Sequence, residues 1–366
     1  MSCDSFVLSA IRGLTPYQTG KPIDELQREF GLTRISKLAS NENPLGCSFE
    51  VVTACQAILE GMARYPDGAG FALKSAISQH FKLDAAGLVL GNGSNDVLEL
   101  IGRTFAGAGD EVIFSQYGFA VYSITAQAIG ATAVQVPAKD YGHDLMVMAA
   151  AVTPKTKLIY IANPNNPTGT CFGQTEWDAF MSVVPSTVMV VLDEAYTEYV
   201  TRPDYADGLR ELAKYPNLIV TRTFSKAYGL AGFRLGFAAA TAEVAGYINR
   251  VRQPFNVNSL ALVAGVAALA DQEFVKEAVA VNKKEMSLWQ QALSMLNLSW
   301  IPSQGNFLCV DMQRPALPIY EALLREGVIV RPVGAYGLPN HLRISIGTDE
   351  ENMHGIEALT RVLQSL

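Results

Sequence analysis

Between residues 87 and 240 the sequence alternates short apolar runs with longer stretches of helical period, and this alternation restricts the fold more than any other feature. The runs at 88–90, 111–114, 131–136, 158–162, 188–192, 218–222 and 234–238 are of strand length. Continuously apolar strands are expected where both faces of a sheet are buried, as in a parallel sheet covered by helices. Helical patterns at 97–105, 122–129 and 175–184 lie between several of them. The expected fold class is therefore α/β, with a mostly parallel mixed sheet and helices on both faces.

After residue 258 the texture changes. Residues 260–270 and 272–296 read as two helices, the second with a wet side at Glu273, Lys276, Lys283, Lys284 and Glu285. Strand-like 307–310, helical 319–326, strand-like 328–331 and 341–346, and a closing helix from Glu350 complete a smaller α+β unit. At roughly 150 residues per domain, a chain of 366 residues has room for this arrangement. The division expected is an N-terminal arm at 1–45 joining the small domain, a large domain at 46–257 and a small C-terminal domain at 258–366. The arm lacks strong periodicity and carries turn signals at Thr15-Pro16 and Asn43-Pro44.

Composition excludes several functions. With 49% hydrophobic and 17% charged residues, disorder is not the expected state. A net charge of -7 without long like-charged runs argues against nucleic-acid or anionic-membrane binding. The 5 cysteines are an odd number and show no zinc or redox spacing, and the 4 histidines lie apart, so no metal is expected. The N-terminus has no basic, apolar leader, and the apolar run at 260–270 is shorter than a membrane helix of roughly 20 residues. A cytoplasmic location with reduced thiols is expected.

Three units carry chemistry. Gly91-Asn92-Gly93-Ser94-Asn95-Asp96 follows a strand and opens a helix, where Ser94 and Asn95 are placed to cap and exposed N–H groups favour a phosphate. An ordinary strand-to-helix turn gives the same pattern. The run at 188–192 delivers Asp193 and Glu194 to a strand end, where ligands of open α/β sheets bind. A buried carboxylate there needs a cation, and a protonated heteroaromatic nitrogen would serve, although either acid equally suits a cap. Lys226 follows Thr223-Phe224-Ser225 in a glycine-punctuated turn before Arg234, a setting suited to a desolvated amine that forms Schiff bases.

With Asn166-Pro167-Thr168-Gly169 between them, these units resemble the pyridoxal-phosphate-dependent aminotransferases of fold type I over nearly the whole chain. The resemblance implies pyridoxal 5'-phosphate as cofactor. Lys226 would carry it and move the proton, and Asp193 would pair with its ring nitrogen. Asn166 and Tyr196 would bond its ring oxygen, and Tyr117 would stack on its face, with Phe119 as the lesser candidate because Ser115-Gln116 stands where relatives often have Pro-Thr. Ser94, Asn95, Thr223, Ser225 and Arg234 would hold its phosphate.

Further motifs resemble the histidinol-phosphate aminotransferases within that family: Leu14-Thr15-Pro16-Tyr17, Ser40-Asn41-Glu42-Asn43-Pro44-Leu45-Gly46, Arg64-Tyr65-Pro66-Asp67, and Arg331 and Arg343 near the C-terminus. They imply transamination of L-histidinol phosphate with 2-oxoglutarate, giving imidazole acetol phosphate and glutamate in histidine biosynthesis. Tyr17, Asn43, Asn166, Arg331 and Arg343 would bind substrate. Tyr65 would reach the cofactor phosphate of a neighbouring subunit, making a homodimer the working unit. An aromatic amino-acid aminotransferase and an O-phospho-amino-acid decarboxylase of the same fold are the alternatives within enzymes. A cofactor-sensing regulator is the alternative outside them, and the acidic chain has no spare segment for DNA binding.

Overall fold

The computed structural model describes residues 3–16 and 20–365, so Tyr17 lies outside the described residues. A seven-stranded sheet forms from β1 (Leu88–Gly91), β2 (Glu111–Ser115), β3 (Thr132–Val136), β4 (Thr156–Ala162), β5 (Met189–Asp193), β6 (Leu218–Thr223) and β7 (Gly236–Ala239), in the order β1-β7-β6-β5-β4-β2-β3. Only β7 runs against its neighbours. The C-terminal ends of β1, β4, β5 and β6 therefore open on one edge.

Both faces of the sheet are covered, which explains the uninterrupted apolar runs. On one face Val112, Leu158, Tyr160, Val191 and Ile219 pack with Val97, Leu98 and Ile101 of helix α1 (Ser94–Phe105) and with Tyr122 of α2 (Ala120–Ala128). On the other, Ile159, Ile161, Val190, Leu192 and Val220 meet Trp177 and Phe180 of α3 (Gln174–Val183). Each fully buried aliphatic side chain contributes roughly 1.5–3 kcal/mol relative to exposure. The sequence run at 234–238 enters the sheet only at Gly236, because Arg234 has φ 59 in the left-handed region and cannot extend a strand.

A second, antiparallel sheet is built from β8 (Ser299–Ile301), β9 (Phe307–Asp311), β10 (Arg331–Pro332) and β11 (His341–Ser345), in the order β10-β11-β9-β8. Its core joins Leu308, Val310, Leu342 and Ile344 to Trp289 of the long helix Gln272–Met295 and to Leu359 of the helix Asp349–Ser365. The helix Ser259–Ala270 instead packs on the helices Phe49–Gln56 and Phe71–Phe81 beside the large sheet.

Two expectations are corrected here. The strand expected at 328–331 is two: Val328–Ile329 pairs in parallel with Ser36–Lys37, and Arg331–Pro332 turns to join β11. The N-terminal segment, which lacks strong periodicity, nevertheless contains the helix Ile23–Phe30. Ile23, Leu26 and Phe30 are spaced to share one face of that helix, of which only Leu26 is buried, and eight residues are too short a run to stand out within an arm read as aperiodic.

Candidate active site

At the shared strand edge lies a cavity of about 250 Å³. Ser94 and Asn95, Asp193 and Tyr196, Thr223, Ser225, Lys226 and Arg234 line it from the large sheet, with Asn166 from the loop after β4. Arg331 and Arg343 line it from the small sheet. Eleven of the residues singled out from sequence thus converge on one space.

One end of the cavity suits an anion. Gly93 precedes the first turn of α1 with φ +87, and a Cβ there would meet Arg234 Nη2 at 2.4 Å. A Cβ on Gly236 would meet the Ser94 amide nitrogen at 2.4 Å. The absence of side chains lets a guanidinium and a helix N-terminus approach the same point, with the hydroxyls of Thr223 and Ser225 nearby. Arg234 Nη1 donates to Ser225 Oγ at 3.4 Å and to the Ala231 carbonyl at 3.0 Å. Ser94 and Asn95 do not cap the helix as expected: Gly93 is the cap residue and makes no side-chain bond, so both lie within the first turn, facing the cavity.

At the other end, buried Asp193 accepts from Tyr122 OH at 2.8 Å and from Thr221 Oγ1 at 3.0 Å. Burial pushes its carboxyl up from the usual range, and the two hydroxyl donors and the Lys226 charge oppose that. Lys226 Nζ donates to the Ser40 carbonyl at 3.1 Å. Burial, reinforced by Arg343 and Arg234 and opposed by Glu42 and Asp193, lowers its amine to about 7. An amine held there exists substantially as the neutral nucleophile near neutral pH. Tyr196 OH accepts from Asn41 Nδ2 at 2.9 Å.

Arg331 stands directly opposite Arg343 across β10 and β11. Arg343 is buried, with Nη1 donating to Asn166 Oδ1 at 2.6 Å and Nη2 to the Ala39 carbonyl at 2.6 Å, while its Nε has no partner among the described residues.

Three expected residues stand elsewhere. Tyr117 packs in the cluster of Ile301, Cys309, Val333 and Leu338, with its ring 5.9 Å from that of Tyr141, and its carbonyl accepts from Asn165 Nδ2. From this turn, Phe119 lines the cavity instead. Asn43 is buried outside the cavity lining and donates to the Ala227 carbonyl at 2.9 Å, bracing the residue after Lys226. Tyr65 is 81% exposed and stacks on Phe255 at 4.7 Å, away from this chain's own cavity. Conversely, Asn41, Tyr122 and Thr221 act at the site without having been read from sequence. Asn41 sits within a quoted motif, whereas only strand register exposes Thr221, which pairs with Asp193.

Residues 33–359 match the family described as aminotransferase class I and II. The chain belongs to the class I and II aminotransferases. This aminotransferase is 58% identical over 364 residues to Histidinol-phosphate aminotransferase 2 of Hydrogenovibrio crunogenus, covering 99% of this chain and 97% of the relative. It is 53% identical over 355 residues to Histidinol-phosphate aminotransferase 1 of Mannheimia succiniciproducens, covering 97% of each. Among solved structures, the histidinol-phosphate aminotransferase of Sinorhizobium meliloti in complex with pyridoxal-5'-phosphate is similar with a TM-score of 0.91 and 31% identity, over 99% of this chain and 98% of that one. Fold type I is thereby the fold of this chain. No helix among the described residues is long and apolar enough to cross a membrane.

Proposed function

We propose that this aminotransferase uses pyridoxal 5'-phosphate to move an amino group between L-histidinol phosphate and 2-oxoglutarate, in the cytoplasm, within histidine biosynthesis. The relatives' names support the substrate. The single observation that carries the reading is the pair Arg331 and Arg343, in register on adjacent strands and facing the same cavity as Lys226. An ordinary amino acid presents one carboxylate, for which one bidentate guanidinium suffices. A phosphate near charge -2 makes use of two.

The residues fit the cofactor. The glycine-lined cradle of Ser94, Asn95, Thr223, Ser225 and Arg234 suits its phosphate, and Asp193, met by neutral hydroxyls, has room for a cationic ring nitrogen. When bound, the cofactor supplies an aldehyde to receive the amino group and a ring that withdraws electrons from the substrate carbon. Asp193 holds the proton on the ring nitrogen through charge. Lys226 Nζ, poised near neutrality, carries the cofactor and moves the proton to and from the substrate carbon. Asn166 and Tyr196 orient the ring oxygen, while Phe119, which lines the cavity, covers the ring face. Arg343 anchors the substrate anion, and Arg331 adds the second charge.

The division into an arm at 1–45, a large domain at 46–257 and a small domain from 258 is part of this reading; the separate cores of the two sheets support two domains, while the helix Ser259–Ala270 packs with the large one, which moves the boundary past residue 270. A homodimer with shared sites is a further part, supported by the exposed Tyr65 and Phe255 stack, which would serve a neighbouring subunit.

The decisive test is half-reaction kinetics on Arg331→Gln, read as ratios of kcat/KM for the two amino donors. The loss for histidinol phosphate is expected to exceed that for glutamate by about tenfold to a hundredfold, the worth of one charged hydrogen bond. Equal losses would make an aromatic amino-acid aminotransferase the better reading.

A further inference from the structure

The segment from Ala39 to Asn41 touches three parts of the site in three consecutive residues. The Ala39 carbonyl accepts from Arg343, the Ser40 carbonyl accepts from Lys226, and Asn41 Nδ2 donates to the Tyr196 oxygen at 2.9 Å. Asn41 is 1% exposed and holds φ 54, a left-handed conformation that asparagine tolerates better than most side chains. Ser345, on the strand that carries Arg343, locks it in two places. Its Oγ accepts from the Asn41 backbone N–H at 2.8 Å and donates to the side-chain Oδ1 of Asn41 at 2.8 Å.

This clamp assigns the two ends of the Asn41 amide. With Oδ1 committed to the Ser345 hydroxyl, Nδ2 is turned toward Tyr196. A phenol that accepts a hydrogen bond keeps its own proton to donate elsewhere and becomes a stronger donor in a low-dielectric setting. We propose that Asn41, held by Ser345, is a positioning residue that acts through Tyr196, fixing that hydroxyl as a donor into the cavity. The proposal rests on the reading that Tyr196 bonds the ring oxygen of the cofactor. The charged groups that act on Lys226 are Arg343, Glu42, Arg234 and Asp193, and none of them is altered by the substitutions at residue 41.

The experiment is a pH titration of the visible absorbance of the bound cofactor in the holoenzyme. Variants are Asn41→Gly, which keeps the left-handed backbone, Ser345→Ala, Tyr196→Phe, and the Asn41→Gly/Tyr196→Phe double variant. A weaker donor leaves the ring oxygen more basic, so it retains the neighbouring proton to higher pH. Asn41→Gly is expected to raise the midpoint by about half to one pH unit, the differential effect of one hydrogen bond. Ser345→Ala, which leaves residue 41 intact and carries the test if Asn41→Gly fails to bind cofactor, is expected to shift it less in the same direction. In the Tyr196→Phe background, Asn41→Gly should add nothing. An unmoved midpoint in both single variants, or an equal shift without the Tyr196 hydroxyl, overturns the proposal. A wild-type protein that takes up no cofactor on Lys226 instead overturns the parent reading.

Discussion

Asp193 and Glu194 are consecutive carboxylates at the end of one strand, yet they face opposite sides of the sheet and have opposite surroundings. Asp193 turns to the α2 face, where its partners are the neutral hydroxyls of Tyr122 and Thr221. Glu194 turns to the α3 face and is fully supplied: Arg222 donates to Oε2 through Nε at 2.9 Å and Nη2 at 2.8 Å, and the Gly208 amide and Tyr205 hydroxyl donate to Oε1 at 2.7 and 3.0 Å. Arg222 also reaches Asp207. A side chain whose charge is already matched stabilises the fold. One whose hydrogen-bond partners are neutral dipoles keeps a place for a cationic ligand.

Changing each acid to its amide separates the two roles. Asp193→Asn is expected to lower turnover at least about a hundredfold, since the amide cannot hold a ring-nitrogen proton by charge. The apoprotein should melt no lower than wild type, because a buried carboxylate has been removed. Steady-state kinetics with thermal melts of the apoprotein check both halves. In Glu194→Gln the pattern reverses: about 3 kcal/mol of stability is lost as Arg222 loses its main counter-charge, while kcat stays within a few-fold in the fraction that folds. Denaturant unfolding monitored beside activity decides this, and a stable but inactive Glu194→Gln would erase the contrast.

Lys226 provides a test against pH. Its amine is lowered to about 7, so the neutral fraction of the folded apoprotein rises with pH and saturates above that value. The rate of cofactor attachment should climb about tenfold per unit below it and then level, in contrast to a solvent lysine, which climbs to about 10. Stopped-flow absorbance measures the profile. The smallest effect is expected from Tyr122→Phe, which removes one of the two hydroxyls on Asp193. Turnover should fall about threefold to tenfold, as for one hydrogen bond, and a loss as large as that of Asp193→Asn would mean that Tyr122 contributes more than solvation.

The face chosen by each acid was not legible in the sequence. The strand before them is apolar on both sides, so alternation gives no clue to orientation, and a cap remained as reasonable for either. Register decides it, by setting Asp193 opposite Thr221. Positions of most strands and of the glycine-flanked turn before Ser94 were legible because burial and glycine geometry leave local marks. The placements of Tyr117 and Asn43 left none: each is fixed by a partner remote in sequence, Asn165 for the first and Ala227 for the second. The same holds for the split of 328–332, where Val328–Ile329 pairs with Ser36–Lys37, far away along the chain.

Such distant pairings have a kinetic side. Arg343 and Ser345 reach Ala39 and Asn41 across 304 positions, and Ser36 meets His354 across 318. Contacts of so large a sequence separation carry a high loop-closure entropy and tend to form late. The large sheet, with its glycine-flanked cradle and Lys226, is encoded entirely between these two stretches, so during synthesis it emerges before Arg343 does. On the proposed reading of these residues, a nascent chain would possess the groups that capture the cofactor before the arginine that anchors the substrate, and cofactor capture would be a step able to stabilise the unfinished chain by mass action.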